Sequence, residues 1–338
     1  MSINNKVELP TSEEIKAGFD ELNNSDVNGV RGVKVFDSGK SGPTLYVATC
    51  SHGNERVGAG LVVPLLKGAK NGGIDVIQGK VIVAVNNIGA ANIGDSGKRV
   101  GEDGMNWNRL PPDLLDGRST NTTATQSRLR AMQNAGLLDV THGYDAHTIA
   151  VEANGFKLHI KGPRAFADGI GEEVYIVDIV KHQPDADGNP TVAFGNYLGG
   201  VDNDRVPVVE MEGGGPHSDP RVIKKLLNGL VATLGSLEMV DESITERYRG
   251  AQRTYPIEHY QLVPAGYTPD RQFGQFEVLP KGTVITRDKL TPCRPDVVTP
   301  ADGHMIMPPT FGENGGDDWW ISGPVQESTQ EFIRAKGL

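Results

Sequence analysis

The sequence predicts an α/β fold with a mostly parallel mixed sheet, followed by a small β-rich C-terminal domain. Up to about residue 240, short apolar segments typical of buried strands alternate with segments of helical periodicity, which is the pattern of a parallel sheet. Beyond that point Pro and Gly become frequent, and short apolar segments alternate with turns. We therefore predict two domains, residues 1–240 and residues 241–338.

The composition argues against several classes of protein. With 33 Lys and Arg residues against 43 Asp and Glu residues, the net charge of −10 argues against nucleic acid or an anionic membrane as a partner. The two cysteines, Cys50 and Cys293, are too few for a disulfide framework or a cysteine-based zinc site. No apolar run is long enough to span a membrane, and the N-terminus lacks the features of a signal peptide. We expect a cytoplasmic enzyme, and an anionic substrate is compatible with the charge because a few arginines can dominate the local field.

The first 85 residues predict two helices and three strands. Thr11 and Glu14 have the spacing of a capping box, so the first helix is expected to begin there. The run 45–50 is continuously apolar, as in a strand that is covered on both faces of a sheet. The predicted elements are a helix over 11–22, strands over 30–36 and 45–50, a helix over 55–67 and a strand over 79–85.

The remainder of the first domain begins with a long segment, residues 86–123, that shows no clear periodicity. A loop of that length in a compact domain is typically functional or disordered. The strongest helical pattern begins after Ser218, which we predict to cap the helix. The predicted elements are a helix over 124–135, strands within 137–148 and over 156–160, 174–180 and 206–212, a helix to residue 234, and short strands within 245–330.

A His-x-x-Glu pair, His52 and Glu55, directly follows the apolar strand over 45–50. Strand, turn and helix in succession place this pair at the carboxyl edge of the sheet, where open α/β sheets bind their ligands. An imidazole nitrogen and a carboxylate oxygen at such an edge can point at one cation. Zinc accepts both, and in catalytic sites it typically takes three protein ligands and leaves a place for water. The pattern predicts a pair of zinc ligands, although a capped helix start has the same appearance.

A third ligand is expected at the end of another strand. Asp145-Ala146-His147 offers an imidazole there, with a carboxylate two residues away that can orient the ring. His142 and His159 are competing candidates. Each of these histidines alone is also compatible with a polar residue that has no functional role.

An Asn-Arg pair, Asn108 and Arg109, ends a polar stretch of the long loop. An arginine can grip a carboxylate through two parallel hydrogen bonds, and an asparagine supplies a neutral donor beside it. The pair therefore indicates a site for an anionic group. A surface arginine in an acidic loop is the alternative interpretation.

Two glutamates, Glu210 and Glu212, alternate along one strand, so their side chains share a face. A glutamate beside a metal-bound water can act as general base and then pass the proton to a leaving amine. The alternative interpretation is a pair of solvated carboxylates at the sheet edge.

Four motifs in this order resemble those of the zinc-dependent succinylglutamate desuccinylase/aspartoacylase family, a branch of the zinc carboxypeptidase superfamily. The resemblance covers about residues 42–235, and it implies a three-layer zinc-carboxypeptidase-like domain with a small C-terminal β domain. The motifs are His52-Gly53-Asn54-Glu55, Asp103-Gly104-Met105-Asn106-Trp107-Asn108-Arg109, Asp145-Ala146-His147 and Glu212-Gly213-Gly214-Gly215.

The resemblance implies a role for each candidate residue. It favours Glu212 over Glu210 as the catalytic base, because only Glu212 precedes the family's x-Gly-Gly, and Glu210 is kept as the alternative base. Arg99 stands about where the family often has a further arginine for the substrate or the transition state. The remaining implied roles are one Zn²⁺ per chain on His52, Glu55 and His147, and binding of a substrate carboxylate by Asn108 and Arg109.

The activity implied by the resemblance is hydrolysis of the amide bond of an N-acyl amino acid, or of a related carboxylate-bearing substrate, by a metal-activated water. The family's Asn-Arg pair is often followed by an aromatic residue and Pro-Gly, whereas this chain has Leu110-Pro111-Pro112, which leaves the exact substrate open. The alternatives are a peptide-cleaving metallocarboxypeptidase or an esterase on the same scaffold, and a non-catalytic zinc-binding protein. A homo-oligomer is left open, and the C-terminal domain is expected to shape substrate access.

Overall fold

The structure is a computed structural model, and its described residues fall in several ranges along the chain. The described residues are 7–115, 123–149, 156–163, 166–167, 174–177, 191–200, 203–217, 219–245, 251–262, 267–274, 276–288, 295–306, 318–322 and 326–329. Among these residues, no helix combines the length and the hydrophobicity that a membrane span requires. The end of the predicted strand over 174–180, residues 178–180, lies outside the described ranges.

Helices and strands alternate through the first two thirds of the chain, and strands dominate the rest. The helices are α1 Ser12–Asn24, α2 Val62–Lys67, α3 Ile88–Ala91, α4 Ala124–Asn134, α5 Ile223–Ser236 and α6 Glu242–Thr245. The strands are β1 Asp26–Val27, β2 Val30–Arg31, β3 Val33–Asp37, β4 Thr44–Thr49, β5 Lys80–Val85, β6 His142–His147, β7 Phe156–Lys161, β8 Val174–Val177, β9 Val208–Glu212, β10 Ala251–Leu262, β11 Tyr267–Pro269, β12 Val278–Leu279, β13 Val284–Asp288, β14 Val297–Val298, β15 Gly303–Ile306, β16 Asp318–Ser322 and β17 Gln326–Thr329.

A mixed sheet forms the centre of the molecule. Strand β4 lies between β5 and β6 and is parallel to both, and β6 is parallel to β9. Strand β3 pairs antiparallel with β5, and β7 pairs antiparallel with β9. Helices flank this sheet, so the predicted α/β class with a mostly parallel mixed sheet is confirmed. Because the carboxyl ends of β4, β6 and β9 point the same way, residues after these strands meet at one edge.

The two faces of the sheet are covered by different apolar clusters. Alternation along β4 sends Leu45 and Val47 into a cluster that contains residues of α1, α2 and α5. Tyr46 and Ala48 point to the opposite face, into a cluster with residues of α4 and the 107–115 loop. On β6, Tyr144 and Ala146 belong to the first cluster, so Asp145 and His147, which alternate with them, lie on the face of the second cluster.

Three predicted elements differ locally from the observed ones. The strand over 30–36 is split into β2 and β3, because Gly32 has φ +79° and interrupts the extended backbone. The helix over 55–67 begins as a 3₁₀ helix, Arg56–Leu61, before it continues as α2. The last helix is preceded by a 3₁₀ turn that Asp219 caps through the backbone N–H of Arg221. The predicted cap of this helix, Ser218, lies outside the described residues.

The C-terminal strands extend the central sheet. Strand β10 pairs parallel with β8 and antiparallel with β16, so hydrogen bonding continues across residue 240. A separate three-stranded sheet contains β11, β13 and β14. Phe276 and Ile306 of this region pack into the apolar cluster on the second face of the central sheet. The predicted division at residue 240 stays a prediction.

Candidate active site

The candidate residues lie at the carboxyl edge of the central sheet. His52 and Glu55 follow β4, where Cys50 has φ +52° and turns the chain out of the strand. His147 is the last residue of β6, and Glu212 is the last residue of β9. These two strands are parallel and in register, so His147 and Glu212 are direct partners.

His52, Glu55 and His147 converge in a buried triad. Nδ1 of His52 lies 2.8 Å from Oε1 of Glu55, and Nδ1 of His147 lies 3.1 Å from Oε2 of the same carboxylate. None of the three residues is more than 4% exposed. The backbone N–H of Thr148 donates to Oε2 of Glu55 at 3.0 Å and holds the carboxylate in place. The structure thus brings the three predicted ligands together.

The other ring nitrogen of each histidine has its own partner. Nε2 of His52 lies 3.1 Å from Oδ1 of Asn106. That oxygen also accepts the backbone N–H of Asn108 at 2.9 Å, which identifies it as an acceptor. Nε2 of His147 lies 3.2 Å from Oδ1 of Asp145. These two acceptors favour a proton on each Nε2 atom, so that each Nδ1 atom can bind a cation when the ring is neutral.

This arrangement could hold a metal ion. A deprotonated Nδ1 atom would repel the Glu55 carboxylate unless a positive charge lay between them, and Nδ1 of His147 has no hydrogen-bond partner among the described residues. Two imidazoles and one carboxylate are a common donor set of catalytic zinc. Tetrahedral coordination with bonds of about 2.0–2.1 Å places ligand atoms about 3.3 Å apart. The two distances to Glu55 lie within a few tenths of an ångström of that spacing, and ligand atoms of all three residues lie within 4.8 Å of one another.

The charges within the triad are consistent with a cation site. Burial lowers the pKa of His52 to about 4. Burial also disfavours the charged form of His147, but the carboxylates of Glu210 and Asp145 raise its pKa well above the usual range. Burial favours protonation of Glu55, yet the two imidazoles outweigh it and hold its pKa well below the usual range. The triad is stabilised by positive charge, which a bound metal ion would supply.

Glu210 and Glu212 both face the triad from β9. Their side chains are 6% and 4% exposed, and burial raises the pKa of Glu210 to about 7 and that of Glu212 well above the usual range. Oε2 of Glu212 has no hydrogen-bond partner among the described residues. Glu210 pairs in register with Asp145. It lies two residues before Glu212 on β9, further from the carboxyl edge of the sheet. Glu212 is therefore the carboxylate nearer the open edge.

The loop that carries Asn108 and Arg109 is held against the site. The Nδ2 atom of Asn108 lies 3.4 Å from Nε2 of His147, and Nη1 of Arg109 donates to the carbonyl of Asn108 at 2.6 Å. Leu110 and Val192 exchange two backbone hydrogen bonds of 2.9 and 2.8 Å. These bonds fix the backbone beside Arg109, so Asn108 and Arg109 have a defined position next to the triad.

The fold has known relatives among solved structures. No protein-family model and no curated protein matches the sequence. A succinylglutamate desuccinylase/aspartoacylase from Rhodobacter sphaeroides is 15% identical, with a TM-score of 0.59 over 88% of this chain and 89% of that chain. A succinylglutamate desuccinylase from Chromobacterium violaceum is 15% identical, with a TM-score of 0.56 over 94% and 98%. The product-bound ectoine utilization protein EutE (DoeB) from Ruegeria pomeroyi is 16% identical, with a TM-score of 0.56 over 87% and 88%.

The chain shares their fold. At these identities the comparison establishes the architecture, and it confirms the fold that the four motifs imply. The likeness covers 88% and 94% of this chain in the first two comparisons, so it extends into the part of the chain beyond residue 240.

Within this succinylglutamate desuccinylase/aspartoacylase fold, Arg99 lies beside the triad. Its carbonyl accepts the backbone N–H of Gly53 at 3.3 Å, and its side chain is exposed. Its positive charge acts to lower the pKa values of both His52 and Glu212, which places the guanidinium within electrostatic range of them. Arg99 is thus near enough to the site for its charge to act on His52 and Glu212.

The two competing histidines lie elsewhere. His142 is the first residue of β6, at the opposite end of the strand from His147, and its ring packs 4.9 Å from that of Phe166. Nε2 of His159 lies 3.0 Å from the carbonyl oxygen of Gly162. Neither belongs to a group of described residues whose ligand atoms converge.

Two contacts of the triad were not predicted from the sequence. Asn106 holds the ring of His52, and the backbone N–H of Thr148 holds Glu55. Asn106 stands two residues before Asn108, so the alternation of the loop motif could have indicated that both amides face the site. The Thr148 contact is made by the backbone, and no side-chain pattern predicts it.

Proposed function

We propose that the protein is a zinc-dependent hydrolase that cleaves the amide bond of an N-acyl amino acid or a related carboxylate-bearing substrate. The observation that carries this proposal is the pairing of Glu212 with His147, which puts a buried carboxylate beside a triad that fits zinc. The shared fold with desuccinylases and aspartoacylases supports the same class of reaction.

The proposed ligands are His52, Glu55 and His147. A zinc ion held there would supply a water of lowered pKa and would polarise the scissile carbonyl. Asn106 and Asp145 keep the protons of the two rings on Nε2, so that both Nδ1 atoms are available as ligands.

Glu212 is the proposed general base. Its buried carboxylate has an oxygen without a partner among the described residues, and the raised pKa suits a group that accepts a proton and returns it. In this role Glu212 takes the proton of the attacking water at an Oε atom and delivers it to the nitrogen of the leaving amine. Glu210 is the alternative base, and its deeper position on β9 makes it second choice.

Asn108 and Arg109 are the proposed anchor for a substrate carboxylate. Their loop is fixed by the backbone pairing of Leu110 with Val192, so a bound carboxylate would set the distance of the scissile bond from Glu212. Arg99 would add positive charge beside the developing oxyanion. These three cationic or polar side chains explain why the acidic chain as a whole can accept an anionic substrate.

Residues 241–338 are proposed to form the smaller β-rich domain that shapes substrate access. Phe276 of this part packs its ring 5.9 Å from that of Phe156, at an angle of 84°. Phe156 is the register partner of Glu212 on β7. The C-terminal region therefore reaches the strand next to the proposed base.

The test is a substrate profile of the purified protein. We expect zinc-dependent release of amino acid from N-acetyl or N-succinyl amino acids, loss of activity with a chelator, and recovery on adding zinc. Cleavage of short peptides or of esters in preference to these amides would favour the carboxypeptidase or esterase alternative. Stoichiometric zinc without hydrolysis of any of the three classes would indicate a non-catalytic zinc protein.

A further inference from the structure

A row of buried hydrogen bonds runs from His147 away from the open edge of the site. Oδ1 of Asp145, which faces Nε2 of His147, accepts the hydroxyl of Ser51 at 2.9 Å. Oγ of Ser51 accepts Nδ2–H of Asn86 at 3.0 Å, and Oδ1 of Asn86 accepts the hydroxyl of Tyr46 at 2.9 Å. None of these residues is more than 1% exposed. We call Tyr46, Asn86, Ser51 and Asp145 the buried relay.

The buried relay has only one consistent direction. An ionised carboxylate can only accept hydrogen bonds, so the hydroxyl of Ser51 donates its one proton to Asp145. Ser51 must therefore accept from the amide nitrogen of Asn86, and the amide oxygen of Asn86 is left to accept from Tyr46. Every proton points towards Asp145, and the carboxylate can then accept Nε2–H of His147 as well.

The far part of the relay is anchored in the core. Asn86 follows β5, and its backbone carbonyl accepts Nε–H of Arg128 at 2.5 Å. Nη2 of the same arginine donates to the backbone carbonyl of Val85 at 2.6 Å. The ring of Tyr46 packs 5.6 Å from that of Phe194. The relay therefore links the imidazole of His147 to α4 and to the apolar cluster on the second face of the sheet.

We propose that Ser51, Asn86 and Tyr46 are positioning residues that fix the tautomer and the ring orientation of His147 through Asp145. This inference rests on the proposed function in one respect, because it takes His147 to be a metal ligand. The relay keeps the proton on Nε2 and the lone pair on Nδ1, so the nitrogen that faces the metal site is ready to bind without rearrangement. Loss of a relay member lowers zinc affinity without removing any ligand.

The experiment measures the dissociation constant of zinc by competition with a chromophoric chelator. We expect Ser51→Ala to raise it about 10- to 100-fold, as when other partners of ligating histidines are removed. Tyr46→Phe, which leaves the contact between Ser51 and Asp145 intact, should raise it less. Zinc affinity unchanged in Ser51→Ala would overturn the proposal.

Matched controls delete buried hydroxyls that are not part of the relay. Thr49 Oγ1 donates to the carbonyl of Ala84 at 2.9 Å, and the hydroxyl of Tyr144 donates to that of Leu226 at 2.6 Å. Both residues are fully buried. Thr49→Val is paired with Ser51→Ala, and Tyr144→Phe with Tyr46→Phe. We expect the controls to lose comparable thermal stability but to keep wild-type zinc affinity; equal loss of affinity in a control and its partner would show general loosening and would contradict the relay.

A second readout uses the zinc-loaded protein. The ¹⁵N chemical shifts of the His147 ring report which nitrogen carries the proton. Wild type and both controls should show the proton on Nε2 only, whereas Ser51→Ala should show a mixture of ring states. If Ser51→Ala fails to fold, Tyr46→Phe carries the same test with a smaller shift, and wild-type shifts in that variant would then refute the relay.

The outcomes separate this inference from the proposed function. A wild-type protein that binds zinc in a Ser51-dependent manner but hydrolyses no amide would refute the deacylase proposal and leave the relay standing. Zinc-dependent amide hydrolysis, with the same zinc affinity in Ser51→Ala as in the wild type, would support the deacylase proposal and refute the relay.

Discussion

His147 and Glu212 face each other as register partners on the adjacent parallel strands β6 and β9. Both are the last residues of their strands and both are buried. Adjacent parallel strands hold their register partners about 4.8 Å apart, so the separation between these two residues is set by backbone hydrogen bonds. The backbone pairing of the two strands thereby fixes a proposed ligand and a proposed base relative to each other.

The first prediction separates the two candidate bases. Glu212→Gln should lower kcat about 10²- to 10⁴-fold, because the amide cannot take up a proton, while the zinc content stays at that of the wild type. Glu210→Gln is the matched control. The same change two residues earlier on the strand should lower kcat much less. Steady-state kinetics and metal analysis of both variants provide the measurement. A larger loss in Glu210→Gln would make Glu210 the base.

The central sheet could be predicted from the sequence because its signal is local. The apolar runs of β4 and β5 are continuous and end in polar residues, and β9 begins with apolar residues and ends in Glu212. Each of the three predictions lies within two residues of the observed strand. The boundaries that differ depend on single backbone conformations. Gly32 breaks a strand because of its positive φ, and no apolar pattern indicates which glycine adopts such a conformation.

The three candidate ligands could be predicted from the sequence, but the residues that hold them in place could not. His52, Glu55 and His147 stand in recognisable motifs, and the structure brings them together. Asn86 and Ser51 lie 35 residues apart and meet only because β4 and β5 are neighbours in the sheet. Contacts of this kind depend on strand order, which the sequence pattern does not specify.

The second prediction concerns Asn106. Asn106→Leu should raise the dissociation constant of zinc about 10- to 100-fold, because the ring of His52 loses the acceptor that fixes its tautomer. Asn106→Asp keeps an acceptor oxygen for both His52 and the backbone of Asn108, so it should retain most of the affinity. Chelator competition measures both. Equal affinities in the two variants would show that the acceptor at this position has no influence on the metal.

The third prediction is a pH dependence that arises away from the site. Burial lowers the pKa of His142 from 6.5 to about 4. The folded chain therefore binds this proton more weakly than the unfolded chain does. As the pH falls below about 6.5 the unfolded state gains the proton first, so this histidine reduces the free energy of unfolding progressively towards pH 4 and has no effect above about pH 6.5.

His142→Gln removes this titration and should give a shallower loss of stability between about pH 6.5 and pH 4. Urea unfolding of the zinc-free wild type and variant across that window provides the measurement, and the slopes matter more than the absolute values. Because His52 titrates in both proteins, its contribution cancels in the comparison. Parallel curves would show that His142 keeps an ordinary pKa in the folded state.

The last prediction tests whether the C-terminal region sets the choice of acyl group. Phe276 has φ +62°, and its backbone N–H donates to the carbonyl of Met305 at 2.7 Å, so its ring is held in place against Phe156. Phe276→Ala should open the space beside Glu212 and raise kcat/KM for long-chain N-acyl amino acids relative to N-acetyl ones by about tenfold. Phe273→Ala is the control, because Phe273 is buried in the separate C-terminal apolar cluster and its ring stacks on Arg271. An acyl preference that is unchanged in Phe276→Ala, or equally changed in Phe273→Ala, would show that the position of the C-terminal region does not determine it.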